Sequence, residues 1–349
     1  MNACSGTPVT TVGSVAVFGS ICRGIVALPF VLVLLSAQEP AFKAGVSLIE
    51  IDAEVIGNGG VIEGLQAGDF VVKDDRAPVV LRYCLSERAP LDIVLVFDLS
   101  KIMAPQRTQL TAAAEAAAAE LREGDRVAIM SFDERPQVEL PLTGDLEEVR
   151  RRTRIGLAGA TFGTGFPGVL SAATAAVNYL SAQPGAHQRR AILMFTADIG
   201  SGKKESHLAA ARTFWNDDAL LSAMVIPSLL SLFTHDNNPS HFGLVQKLGY
   251  VMKFSPFDSI DEVAALTGGE VVYSEDTGYA RGDLTPNATL REVVERMRHC
   301  YKLYYDRPVG RPGQTHHVEV GLSPSAEALN PNARIIARKG YIMPRQEVP

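Results

Sequence analysis

The chain changes its hydrophobic rhythm twice. From residue 46 to 86 apolar and polar positions alternate, as in VSLIEIDAEVI (46–56), the period of strands with one buried face. GNGG (57–60) signals a hairpin, and FVVKDD (70–75) and PVVLRYCL (78–85) read as further short strands. From Leu91 the apolar runs become continuous. LDIVLVF (91–97), RVAIMSF (126–132), RAILMFT (190–196) and ALLSAMVI (219–226) each suit a strand buried on both faces. Helical stretches separate them: an Ala-rich one over 105–122 closed by Gly124, then 146–153, 167–182 and 203–215. A loop containing 234–240, helices over 259–267 and 289–298 and a short strand EVVY (270–273) complete this part. Ser259 with Glu262, and Thr289 with Glu292, have capping-box spacing. From Tyr301 the rhythm returns to β in YKLYY, HHVEVGL and ARIIARKGY.

The order is β, then α/β, then β. Alternating strands and helices predict a doubly wound, mostly parallel sheet of the Rossmann-like kind, covered on both faces. The outer pieces have too few strands to be stable alone and are expected to fold together. The expected organisation is an N-terminal β segment over 46–90, an α/β domain over 91–298 inserted between the two outer pieces, and a C-terminal β segment over 299–345. The 349 residues fit two folded units at about 150 residues each.

One apolar run belongs to none of these elements. GIVALPFVLVLLSA (24–37) follows Arg23 and ends in small residues, the make-up of a secretory signal over 1–37 cleaved after Ala37. No cysteine follows it to carry a lipid. The alternative is an uncleaved anchor extended by residues 12–18, which would bury Arg23 in the membrane at a cost. Membrane contact is expected only through that uncleaved form. Export implies a periplasmic, cell-surface or extracellular location. No later stretch has about 18 uninterrupted apolar residues, so a multi-span protein is excluded. The 46% hydrophobic content excludes long low-complexity disorder, and a net charge of -6 argues against nucleic acid as main partner.

Cys4 and Cys22 lie in the leader, while Cys84 and Cys300 flank the α/β region. In an oxidising compartment Cys84 and Cys300 are a candidate disulfide joining the strands that enter and leave that region; the alternative is a pair of buried free thiols. No cysteine or histidine spacing resembles a zinc site.

In open parallel sheets ligands sit beyond the carboxyl ends of the strands. That rule selects the loop Asp98-Leu99-Ser100-Lys101-Ile102-Met103, the loop LAGATFGTG (157–165) with Thr161 and Thr164, and the loop Ala197-Asp198-Ile199-Gly200-Ser201. They offer carboxylates and hydroxyls only, a set that suits Mg²⁺ or Ca²⁺.

These three loops, with GVIEGLQAGDFVVKDDRAPVVLRYC (60–84), PLDIVLVFDLS (90–100), AALTGGEVVY (264–273) and ARKGYIMP (337–344), resemble the von Willebrand factor type A domain with its metal-ion-dependent adhesion site. Within that family the chain is most similar to the group described from acidobacteria. The resemblance implies a metal motif D-x-S-x-S followed by a later Thr and a later Asp. Asp98 and Ser100 match its first two elements; the third falls on Ile102, which has no ligating oxygen. Thr161 matches the threonine, with Thr164 second, and Asp198 stands one place late because Ala197 follows the strand. An intact site of this kind leaves one coordination position for a partner's acidic side chain, so the resemblance implies a protein-binding or adhesion role rather than an enzyme. The plain alternatives are Asp98 as an N-cap with Ser100 solvated, and a structural envelope component whose site has decayed. A hydrolase using Asp98 or Ser100 lacks a nearby histidine in sequence.

Other signals are weaker. Residues 163–168 satisfy G-x-G-x-x-G, but EEVRRRTR (147–154) rather than a strand precedes them, so no nucleotide is expected. His235 and His241 sit in a polar loop, and His316 and His317, adjacent on a strand, point to opposite faces. Arg150, Arg151 and Arg152 read as an exposed helix face or a partner contact. Asn287-Ala288-Thr289 is a sequon that carries little weight in a bacterial chain.

Overall fold

Alternating and continuous apolar runs become two kinds of sheet. In the computed structural model, residues 47–58, 60–164, 168–185, 189–197, 204–226, 260–274 and 290–345 are described. The leader, the 234–240 loop, Ser259, Thr289, His235, His241, Asn287 and Asp198 lie outside them. None of the described helices is long and apolar enough to cross a membrane.

The chain enters through β1 (Leu48–Gly57), which turns through the expected hairpin into β2 (Gly60–Val61). Then come β3 (Phe70–Asp74), β4 (Ala77–Val79) and β5 (Leu81–Arg88). Alternation holds in the first half of β1, where Ile49 and Ile51 are buried between half-buried neighbours; from Ala53 to Ile56 every residue is buried.

The central sheet opens with β6 (Leu91–Asp98), all eight residues of which are buried. It continues through α1 (Arg107–Ala119), β7 (Arg126–Phe132), β8 (Pro136–Thr143), α2 (Leu146–Ala158), α3 (Val169–Ser181), β9 (Arg189–Thr196), α4 (Lys204–Asn216) and β10 (Ala219–Val225). After these come α5 (Ile260–Thr267), β11 (Val271–Tyr273) and α6 (Leu290–Arg298). The sheet order is β11-β10-β9-β6-β7-β8, parallel except for the edge strand β8. Leu91, Ile93, Leu95 and Phe97 of β6 face α1, α2 and α6, whereas Val94 and Val96 face α3, α4 and α5. The alanines of α1 serve close packing: Ala113, Ala114, Ala117 and Ala118 are all buried against the sheet.

The chain then returns to the flanking sheets through β12 (His299–Asp306), β13 (Thr315–Leu322), α7 (Pro324–Leu329), β14 (Arg334–Ala337) and β15 (Gly340–Ile342). One antiparallel sheet runs β14-β1-β12-β5 and the other β15-β13-β3-β4. Strands from both ends of the chain build each sheet, alternating in the first, and the two sheets share a core of Ile51, Phe70, Val72, Tyr301, Leu303, Tyr305, Val318 and Tyr341. Gly340 is where these sheets meet the central unit. A Cβ there would lie 2.6 Å from the His316 carbonyl and 2.8 Å from the Trp215 ring of α4, so only glycine fits.

Elements with weak signals depart from expectation. The antiparallel edge β8 and the short α7 are additional, and α2 runs to Ala158 rather than 153. The disulfide expectation is corrected: Cys84 and Cys300 are free thiols. They do lie on neighbouring strands, but Cys84 pairs with Leu303 and Cys300 with Glu87. That three-position offset turns their side chains to opposite faces of the sheet. Burial pushes the Cys84 thiol up to about 11 and that of Cys300 up to about 12.

Candidate functional site at the strand ends

Asp98 is the last residue of β6 and is fully buried, as is Ser100 two residues on. The chain turns sharply here because the Asp98 carboxylate holds it: Oδ1 accepts from the Ser100 amide at 2.9 Å. Oδ2 accepts from the Thr196 hydroxyl at 2.8 Å, across the sheet at the end of β9. Burial raises the Asp98 carboxyl above the ordinary aspartate value, against the opposing pull of Ser100, Thr196 and the Ala197 amide. Asp98 is not the cap of α1, whose N-cap is Gln106 after a 3₁₀ turn. Nor is Ser100 solvated. Its hydroxyl lies close enough to Asp98 to favour the carboxylate, yet Oγ is sealed from water without a hydrogen-bond partner. An unpaired buried hydroxyl is costly, and a cation is one way to satisfy it.

The threonine loop is brought alongside. The Gly163 amide donates to the Leu99 carbonyl at 2.8 Å, and the Leu99 amide to the Phe132 carbonyl at 2.7 Å. Arg107 locks the same loop from α1, donating to the Ala158 carbonyl at 2.9 Å and lying 4.6 Å from the centre of the Phe162 ring. Thr161 is exposed and lines a cavity of about 460 Å³ with Leu99, Asp133, Thr153 and Gly163. Ile102 is partly buried and packs on the apolar cluster that includes α1. Ala197 is fully buried.

Three contributors were not singled out in the sequence. Thr196 supplies a hydroxyl to Asp98. Arg107 is a positioning group for the threonine loop. Asp133, just past β7, has its carboxylate against Gly163, where a Cβ would come within 2.2 Å of Oδ2. The strand-end rule could have found Asp133, because SFDERP (131–136) follows a buried run as directly as Asp98 does.

The described donors are therefore a buried carboxylate, an orphaned hydroxyl and an exposed threonine, with no oxygen from residue 102. An all-oxygen set of this kind fits a hard cation that keeps part of its water shell.

Residues 93–201 match the family model described as the von Willebrand factor type A domain. That match spans β6 to the loop after β9 and includes Asp98, Ser100 and Thr161. Residues 93–201 carry a type A domain. Its sheet, helices and flanking β sheets agree with the expected fold. No curated protein matches the chain. Among solved structures, the type A domain is similar to an aerotolerance-related membrane protein from Bacteroides fragilis, at 16% identity over 59% of this chain and 98% of that one, with a TM-score of 0.38. A von Willebrand factor type A protein from Catenulispora acidiphila gives 12% identity, 87% and 76% coverage and a TM-score of 0.40. The BatB protein from Bacteroides thetaiotaomicron gives 18%, 39% and 66%, and 0.32.

Proposed function

We propose that the chain is an exported protein-binding module that recognises an acidic side chain of a protein partner through a divalent cation, Mg²⁺ or Ca²⁺. Asp98, Ser100, Thr161 and Asp198 are the residues that would hold it. The observation that carries this reading is the Ser100 hydroxyl, buried and unpaired beside a buried carboxylate. Bound there, the cation would supply positive charge for a partner carboxylate. The chain's own residues do the rest: Thr196 and the Ser100 amide hold the Asp98 carboxylate, and Gly163 and Arg107 hold the threonine loop beside it. The leader over 1–37, with its single Arg23 and apolar run, supports export.

Calcium and magnesium titration followed by thermal unfolding tests the site. Stabilisation of the wild type that is lost in Ser100→Ala supports it; equal stabilisation of both, or none, overturns it. A partner bound in Mg²⁺ and released by EDTA then tests the recognition.

A second reading, a metal-independent structural component of the envelope, draws on Ile102, which offers no side-chain oxygen and packs on the apolar core. It expects no response to either cation.

A further inference from the structure

The flanking sheets enclose a second group of ionisable side chains, far from the strand ends in sequence. Asp74 ends β3, Asp75 starts the two-residue turn into β4, and His316 lies on the neighbouring strand β13. Asp74 and His316 are each 4% exposed. Asp75 and Arg76 adopt left-handed backbone, with φ of 47° and 72°, as this kind of hairpin turn requires.

Each carboxylate has an outer and an inner oxygen. The outer ones are held by donors: Asp74 Oδ2 accepts from the Tyr305 hydroxyl at 2.9 Å and the Tyr341 hydroxyl at 2.7 Å, and Asp75 Oδ1 accepts from the His317 amide at 2.9 Å. The inner ones, Asp74 Oδ1 and Asp75 Oδ2, converge on a single atom, His316 Nδ1, at 2.9 and 3.0 Å. That nitrogen carries at most one proton, which the two carboxylates would have to share. Nε2 is buried without a hydrogen-bond partner. The ring cannot turn to find one, because it stacks on Tyr341 at 4.9 Å and 17°. The cluster is short of positive charge at the point where its three ligand atoms meet.

We propose that Asp74, Asp75 and His316 form a binding site for a divalent first-row transition cation of the zinc type. One imidazole nitrogen and two carboxylate oxygens are donors of that class, whereas Mg²⁺ and Ca²⁺ favour oxygen alone. The tyrosines and the His317 amide do what outer groups at metal sites do, fixing the ligands' orientation. Three protein ligands leave coordination positions for water or a ligand. They face the Asp75 side, where the carboxylate is 45% exposed beside a surface depression lined by Asp75, Arg76, His317, Glu319 and Lys339. Bound metal would tie the β3–β4 turn to β13.

Zn²⁺ titrated by calorimetry into the metal-free full chain tests this, with Co²⁺ absorption reporting coordination number. One Zn²⁺ should bind per chain. Asp75→Asn, whose side chain is half-exposed and whose amide tolerates left-handed backbone, should weaken it by at least about tenfold, the loss that even outer groups cause. Ser100→Ala should leave it unchanged, which separates this site from the strand-end site. Absence of Zn²⁺ binding by the wild type, unaltered affinity in Asp75→Asn, or loss of binding in Ser100→Ala overturns the proposal.

Discussion

Asp98 and Asp74 are both sealed from water, and the protein treats them differently. Asp98 takes one donor from its own loop, the Ser100 amide, and one from the adjacent strand end, Thr196. Desolvation still dominates and raises its carboxyl. Asp74 takes two hydroxyl donors, from Tyr305 and Tyr341, and meets His316 Nδ1 at 2.9 Å, each partner more than two hundred residues away. The first site is written as a local motif around a strand end. The second exists only because strands from opposite ends of the chain lie side by side. A cluster assembled across sheets has no spare member.

The sharpest way to break this contrast is to delete one member from each site. In metal-free protein His316→Ala should cost about 3–5 kcal/mol, because it strands buried partners. Asp98→Asn should cost no more than about 1.5 kcal/mol, since the amide keeps an acceptor and sheds a desolvated charge. Equal shifts in denaturant midpoint would mean that the two carboxylates are held alike. Next in size is the response to cations. At about 100 times its dissociation constant, Mg²⁺ or Ca²⁺ should stabilise the Asp75→Asn protein by about 2.7 kcal/mol, and Ser100→Ala should abolish this. Using the Asp75→Asn background keeps the flanking cluster out of the measurement.

A third sealed carboxylate sharpens the comparison by its pH dependence. Glu54 lies at the seam between the flanking and central sheets, 3.1 Å from Arg189. Burial nevertheless pushes its carboxyl up to about 8. The folded chain therefore holds this proton more tightly than the unfolded chain does. Its contribution is full below the ordinary glutamate value and is lost as pH rises through about 8. Melting temperature across that window should fall more steeply for the wild type than for Glu54→Gln, and parallel curves would show that Arg189 keeps Glu54 ionised throughout. The smallest effect is expected at α2, which leads into the threonine loop. Asp145 caps it by accepting from the Glu148 amide at 3.0 Å; Asp145→Ala should cost about 1 kcal/mol and leave cation affinity unchanged.

Legibility followed the range of the interactions. The continuous runs at 91–97, 126–132 and 190–196 were readable as buried parallel strands because both faces of each are covered. Asp98 and Ser100 were readable because two residues and one turn define them. The edge strand β8 was not: PQVELPLT (136–143) leaves most of its side chains partly exposed and opens with proline, as edges do. Cys84 and Cys300 were assigned to the correct pair of strands, but pairing register is a property of two chains of backbone and not of either alone. His316 and His317 were separated correctly by strand alternation: one is buried and the other exposed. Nothing in that alternation could show that Asp74 and Asp75 lie opposite.

The sequence by itself determined the β, α/β, β order, the parallel sheet and the strand-end oxygen donors, because periodicity and local turns encode them within a few residues. Only the tertiary structure decided which buried groups meet. It left the Ser100 hydroxyl unpaired, kept the two thiols apart and brought Asp74, Asp75 and His316 to one point. The physical reason is that these outcomes depend on register and on sheet-to-sheet packing, which are fixed by contacts between residues hundreds of positions apart.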